Sequence, residues 1–425
     1  MSYRKRNFSR PFFKVVRVVL ALAGGLSLLL GLVLAATVRA EEVPAEPAVA
    51  GEAAVLVAAR TGQVLFEKDM HKRMYPASTT KILTALIALE NGIADETVAV
   101  PGEASAVEGS AIGLQAGERL TGSDLLYALM LASANDAAVA LAVHAAGSVE
   151  KFAVLMNEKA RSLGALESNF TNPHGLPDPD HYTTAYDLAL ITVSAMRNPA
   201  FREIVKTKTK VIARPYADRT KGPPQEHLWN HNRFLERYPG ATGVKTGYTE
   251  DAGQCLVAAA ERDGWELVAI VFKSEGNAVY EDVQKMLDYG FAHFKPVRLV
   301  KKGDRLASVE VAGGEPEQVD LVAETDFWYA FPRRDGPLDL NRRVQLARRV
   351  EAPLEAGQRV GRLLFYDQEK LAGEVELVAA RDVARVRGNS WMFWAAGVFL
   401  FFFCLRLRRA ARRRRRLSRR PQKIF

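Results

Sequence analysis

Residues 75–90 read YPASTTKILTALIALE. Ser78 and Lys81 stand three apart, directly ahead of a run in which Ile82, Leu83, Leu86, Ile87 and Leu89 recur at helical spacing until Asn91-Gly92 stops it. Just upstream, AAVLVAARTGQVLFEKD (53–69) has the pattern of strand, Thr-Gly turn, strand. A hairpin that feeds an apolar helix opens the fold. Whether Ser78 caps that helix or does chemistry is open at this point, since serine is a common cap.

Further along, 123–146 and 149–164 have helical periodicity, the first interrupted at Ser133-Ala-Asn135. Another helix is expected at 184–197, after the turn-rich NPHGLPDPDHYT. The texture returns to strand at GVKTGY, QCLVAAAER and WELVAIVFK (within 241–273), and a last helix is expected at 279–294. Strands at both ends with helices between predict one α+β domain over 53–295, its terminal strands sharing a sheet. The order does not repeat βαβ, which argues against a doubly wound parallel sheet. Short β-like runs between Gly- and charge-rich turns predict a second, all-β domain over 297–383.

The two ends differ from this body. Residues 1–17 are basic, Val18–Ala36 is almost wholly apolar, and VRA precedes an acidic, Pro- and Ala-rich stretch. This layout predicts a secretory signal over 1–40 and a linker over 41–52, with an uncleaved anchor as the alternative, since 19 apolar residues could span a bilayer. At the other end WMFWAAGVFLFFFCL (391–405) has no charge and runs straight into an arginine block. As a helix those 15 residues cover roughly 22 Å, which flanking polar residues and snorkelling arginines extend toward a bilayer core of roughly 30 Å. A membrane anchor over 389–405 with a basic cytoplasmic tail over 406–425 is expected, the body lying on the extracytoplasmic side.

The formal charge of +9 belongs to those ends. Residues 1–40 carry seven Lys/Arg and residues 406–425 eleven, with no acid in either; removing these eighteen leaves −9 for the body. The arginine block is therefore expected to serve topology and anionic lipid, and no nucleic-acid partner is expected. With only Cys255 in the body and Cys404 in the apolar run, no disulfide forms within the body.

Ser-x-x-Lys alone carries little information, because it also occurs at Ser2–Lys5 and at Ser148–Lys151, the latter at an expected helix start. Its order with two further motifs carries much more: Ser133-Ala-Asn135 within LMLASANDAAVALA, then Lys245-Thr246-Gly247 within GVKTGYT. The ordered trio resembles the penicillin-recognising serine acyltransferases, the penicillin-binding proteins and serine β-lactamases. PASTTK, SANDAAVALA, FTNPHGLPDPDHYT and GVKTGYT together look like the low-molecular-mass serine D-alanyl-D-alanine carboxypeptidases. The resemblance covers roughly 45–295, and more loosely the β-rich domain and anchor.

That resemblance implies a transpeptidase-like antiparallel sheet flanked by helices, and removal of the terminal D-alanine from peptidoglycan pentapeptide stems. It implies an acyl-enzyme on Ser78, with Lys81 as base and Ser133 relaying a proton to the leaving amine. It also implies that Asn135 holds the substrate amide, that Lys245 and Thr246 bind the terminal carboxylate, and that Gly247 lets the strand approach the peptide. The N–H groups of Ser78 and Tyr248 would receive the oxyanion. β-Lactam antibiotics would acylate Ser78, and no metal or other cofactor is implied. Lysine acts as base only when neutral, and burial with a second cation, here Lys245, favours that form.

Three alternatives remain at this stage. A serine β-lactamase would use the same trio, yet Glu167, the glutamate on offer for deacylation, is not in a Glu-x-x-Leu-Asn setting. A zinc carboxypeptidase would need ligands such as His227 with His231, or His174 with His181, but no H-E-x-x-H occurs. A non-catalytic, membrane-tethered cell-wall binder would be expected to have lost a motif residue, and none is missing.

Overall fold

The computed structural model describes residues 46–333, 340–347, 349–386 and 390–417. The expected signal at 1–40, the start of the linker and the end of the basic tail lie outside the described residues. The chain divides into two compact units, one holding Val64–His293 with the described residues up to Val57, the other Ala58–Gln63 and everything from Phe294 onward.

The first unit opens with the hairpin β1 (Ala53–Ala58) and β2 (Val64–Lys68). A 3₁₀ turn at Ala77–Thr80 leads into α1 (Lys81–Glu90), and the short strands β3 (Thr97–Ala99) and β4 (Arg119–Thr121) pair antiparallel. Four helices follow: α2 (Gly122–Leu131), α3 (Asn135–Ala146), α4 (Val149–Ser162) and α5 (Ala185–Met196). Then come α6 (Pro199–Lys206), the paired strands β5 (Thr209–Val211) and β6 (His227–Trp229), and α7 (Phe234–Arg237). Three long strands close the sheet, β7 (Ala241–Thr249), β8 (Gly253–Arg262) and β9 (Trp265–Ser274), and α8 (Ala278–His293) ends the unit.

The sheet order is β2-β1-β9-β8-β7, so first and last strands do share one sheet and β7 is an edge. Antiparallel pairs join β1 to β2, β7 to β8 and β8 to β9. The middle strands are buried almost throughout, as continuous apolar runs such as LVAAA and LVAIVF require. α1 is buried along eight of its ten residues, from Lys81 to Ala88. It is a core helix, and its start is therefore a desolvated place.

Side-chain caps explain several of the other helix starts. Thr121, Ser148 and Thr184 each accept an N–H from the residue three further on, at 3.1, 3.2 and 3.0 Å. Ser148 is thus a cap and nothing more is required of Ser148-x-x-Lys151. At Ser78 the outcome is different, because no side chain caps the 3₁₀ turn or α1. Helix α6 was not anticipated from the sequence; Asn198 caps it and Pro199 occupies its first turn. The segment QEHLWNHNRF (225–234) contains β6 and leads into α7.

The second unit is all-β apart from its C-terminal helix. Strand β10 (Phe294–Val300) pairs with β14 (Phe327–Pro332), and β12 (Gly314–Glu315) with β18 (Ala384–Arg385). The strands β11 (Arg305–Glu310), β13 (Gln318–Ala323), β17 (Lys370–Ala379), β16 (Arg359–Asp367) and β15 (Asn341–Leu346) form one sheet in that order. Leu321, Phe331, Phe365 and Leu377 are fully buried in its core. Helix α9 (Ser390–Leu417) runs through the apolar stretch and on into the arginines as one element. Among the described residues no single helix is long and apolar enough to cross a membrane; in α9 only the first 16 of 28 residues are free of charge.

Candidate active site

The turn that carries Ser78 is held from behind. Ala77 adopts φ +47°, a conformation that residues with a Cβ rarely take. Its carbonyl lies where a side chain at Gly175 would be, 1.8 Å from the Cβ position, and Gly175 itself has φ +88°. Only glycine fits there. The segment 171–181 thus packs its backbone against the residue preceding Ser78. It is tied down further by Thr84 Oγ1, which donates to the Pro173 carbonyl at 2.6 Å.

Ser78 and Lys81 span the 3₁₀ turn rather than a full α-helical turn. Side chains three apart eclipse in that geometry. Lys81 Nζ donates to Ser78 Oγ at 2.9 Å, to Asn135 Oδ1 at 2.7 Å and to the His174 carbonyl at 2.7 Å. Lys81 is fully buried. Burial, and next the charge of Lys245, hold its ammonium well below the usual lysine range, with Asp136 opposing. Asn135 begins α3, and its Nδ2 donates to the Glu108 carbonyl at 2.7 Å.

Lys245 and Gly247 come from the edge strand β7. Burial alone pulls Lys245 down to about 7, and its Nζ donates to the Thr246 carbonyl at 3.0 Å. A Cβ at Gly247 would stand 3.0 Å from the Ser78 nitrogen and 3.1 Å from the Pro76 carbonyl. The glycine therefore clears the Ser78 amide, a close approach beyond the one to a peptide expected from the sequence. Tyr248, the next residue, is 60% exposed. Its backbone continues the edge beside the turn.

Ser133 sits at the corner between α2 and α3 with φ +58° and is buried. Among the described residues its hydroxyl makes no hydrogen bond to Ser78 or Lys81. The structure thus brings Ser78, Lys81 and Asn135 into direct contact, sets Lys245 and Gly247 against them, and places Ser133 two residues before Asn135. His231 was missed as part of this wall. Its N–H donates to the Leu131 carbonyl at 3.0 Å, and burial followed by the Lys245 charge lowers its imidazole.

The histidines considered as metal ligands have other work. His181 Nδ1 accepts from the Thr171 N–H at 3.1 Å, so its Nε2 carries the proton and donates to Thr80 Oγ1 at 2.9 Å. Burial drives His174 to about 3 and His181 to about 4, with Lys81 adding to both shifts. His227 lies on a strand, stacked on Trp229, and not on a helix with His231. Among the described residues no group of three His, Cys, Asp or Glu side chains is placed to hold a metal ion. Glu167 is paired with His71 at 2.6 Å, both half exposed.

A desolvated lysine joined to a serine hydroxyl, an asparagine beside it and a Lys-Thr-Gly edge strand define a serine acyl-transfer site of the penicillin-recognising class. Residues 40–276 match the family described as D-alanyl-D-alanine carboxypeptidase, and residues 294–385 match the C-terminal domain of penicillin-binding protein 5. The chain belongs to the D-alanyl-D-alanine carboxypeptidases of peptidase family S11, which are serine-type enzymes. The D-alanyl-D-alanine carboxypeptidase DacF of Bacillus subtilis is 32% identical over 345 residues, which span 79% of this chain and 86% of that protein. Penicillin-binding protein 5 of Haemophilus influenzae superposes with a TM-score of 0.66 at 27% identity, covering 80% of this chain and 99% of that one. A mutant of the Streptomyces K15 DD-transpeptidase matches at 34% identity and a TM-score of 0.54, over 58% of this chain and all of that one.

Proposed function

We propose that Ser78 is the nucleophile that cleaves the terminal D-Ala-D-Ala bond of peptidoglycan stem peptides, with Lys81 as the base. The observation that carries this is the 2.9 Å bond from Lys81 Nζ to Ser78 Oγ inside a fully buried setting. A lysine whose charged form is disfavoured by burial and by Lys245 takes the hydroxyl proton as Oγ attacks the carbonyl carbon. The tetrahedral oxyanion is received by the N–H groups of Ser78 and Tyr248, in the gap that Gly247 keeps clear. Breakdown expels D-alanine, its amine protonated from Lys81 through Ser133, and water then hydrolyses the ester on Ser78. Asn135 orients the peptide amide, while Lys245 and Thr246 bind the terminal carboxylate, which returns a counter-charge to the buried ammonium.

β-Lactams acylate the same hydroxyl, and their release is slow. The engagement of Glu167 with His71 supports this against a β-lactamase, since its carboxylate is committed outside the dyad. The protein is held at the membrane through α9, with its catalytic unit on the extracytoplasmic side; the uncharged stretch followed by arginines supports that orientation. Full-length protein in detergent should release free D-alanine from a peptide ending in D-Ala-D-Ala in the presence of a chelator. Ser78→Ala should abolish both release and covalent labelling by penicillin. Release that persists in Ser78→Ala, or that the chelator stops, overturns the reading.

A further inference from the structure

We infer that Arg214 and Glu118 are positioning residues for the reaction, acting through the loop 108–118 to hold Asn135 in place and to keep Lys81 dry. The inference rests on the proposed roles of Ser78 and Lys81.

Arg214 lies in the excursion between α6 and α7, and its side chain and that of Glu118 are both completely buried. The pair is bidentate: Nε to Oε1 and Nη2 to Oε2, each at 2.8 Å. The same guanidinium also donates to the carbonyls of Ile112 and Gly113, each at 2.8 Å. The opposite polarity of that turn is taken by Asp136, whose carboxylate accepts from the N–H groups of Ile112 at 3.1 Å and Leu114 at 2.9 Å. A cation thus holds the acceptors of residues 112–113 while an anion holds the donors of 112 and 114.

Two residues further back the same loop meets the substrate-binding asparagine. The Asn135 N–H donates to the Ser110 carbonyl and its Nδ2 to the Glu108 carbonyl, each at 2.7 Å. Between them Gly109, at φ +83°, leaves no room for a Cβ, which would lie 2.8 Å from Asn135 Nδ2. Asn135 Oδ1 then accepts from Lys81. An unbroken series of hydrogen bonds and chain steps runs from Arg214 through the loop to Asn135, Lys81 and Ser78.

A buried ion pair is a costly way to fasten a loop if stability alone is needed, because apolar residues of similar size do as well. Here the guanidinium fork supplies something an apolar side chain does not, two donors for buried carbonyls at a fixed angle. Loosening the loop admits water beside Asn135 and Lys81. The charged groups acting on Lys81 are Lys245 from β7 and Asp136 from α3, while His174 and His181, in the segment behind it, are held neutral by burial. Asp136 in turn feels the charge of Arg214, so both variants used below leave the net charge of the Arg214–Glu118 pair unchanged, and rehydration is then the effect that reaches the amine. It raises the share of protonated Lys81 and shifts the acid limb of acylation to higher pH.

The test is the second-order rate of acylation of full-length protein by a fluorescent penicillin, measured from about pH 5 to pH 10. Arg214→Lys keeps the charge and loses the fork. The paired replacement Arg214→Met with Glu118→Leu removes both charges together, which guards against a variant that fails to fold. Arg219→Gln is the control, since it breaks only an exposed pair with Glu226 in the same excursion. We expect the acid limb to move up by about one unit in both Arg214 variants, a tenfold loss at low pH that recovers at high pH. The control should superpose on wild type. An acid limb that stays put, whether the rate is unchanged or lowered equally at every pH, overturns the inference. Labelling that survives Ser78→Ala overturns the underlying reading instead, so the two failures are distinct.

Discussion

At the scale of single residues, the site contains two buried lysines and gives them opposite tasks. In the proposed mechanism Lys81 must be neutral to accept a proton, whereas Lys245 must be charged to bind a carboxylate. Both tasks are compatible near neutral pH because Lys81 is held well below the usual range and Lys245 near 7. Activity in the free enzyme is therefore lost as pH falls through the lowered value of Lys81, and again as pH rises through about 7 at Lys245. For stability the sign is fixed by the unfolded chain, where lysine ionises near 10.5. The unfolded state holds more protons between about 7 and 10.5, so wild-type stability climbs across that window. Lys245→Met should make that climb shallower, leaving the part due to Lys81, and stabilise the fold at pH 7 by on the order of 2 kcal/mol. It should also raise KM for the peptide, and move the acid limb upward because the neighbouring charge on Lys81 is gone. Thermal melts and pH profiles of the variant decide this, and a variant less stable than wild type at pH 7 would refute the desolvation argument.

At the scale of elements, catalysis depends on how closely an edge strand and a helix start can approach. β7 meets the nucleophile turn at Gly247, where a Cβ would lie 3.0 Å from one backbone atom and 3.1 Å from another. Neither atom is the end of a flexible side chain, so Gly247→Ala must push strand and turn apart by a few tenths of an ångström. The fold should survive such a shift; the proposed oxyanion site should not. We expect Gly247→Ala to lower kcat by about 10²-fold with little change in KM. Equal losses in binding and turnover would instead mean that the glycine serves peptide docking. The strands, most helices and the trio of motifs were legible in the sequence because each is written in local periodicity or short spacing. The closeness of Gly175 to Ala77, the clamp of Arg214 on residues 112–113 and the place of His231 were not. Each joins segments roughly 100 residues apart, and nothing in the neighbourhood of GLP, ARP or NHN signals its partner. Ser78 itself was legible only through its company, since a capping serine and a nucleophile look alike at a helix start.

At the scale of the whole molecule, all the site residues lie in the first unit, while α9 continues from the second. Location and chemistry should therefore separate cleanly. The uncharged part of α9 spans roughly 22 Å as a helix, less than the roughly 30 Å of a bilayer core. The arginines beyond it can make up the difference by extending their heads to the interface. An amphipathic helix lying flat would instead need a polar face within the stretch, and Trp394 to Leu405 offer none. In a lysed host, full-length protein should stay with the membranes through both high salt and alkaline carbonate. A chain ending at Val386 should appear in the soluble fraction, with unchanged kcat/KM on a short D-Ala-D-Ala peptide and unchanged penicillin labelling. Release of the full-length protein by salt alone would show that the arginines hold it electrostatically at the surface and that α9 does not span. Loss of activity in the truncated chain would show that the second unit or α9 takes part in the chemistry, against the placement of every site residue between Ser78 and Tyr248.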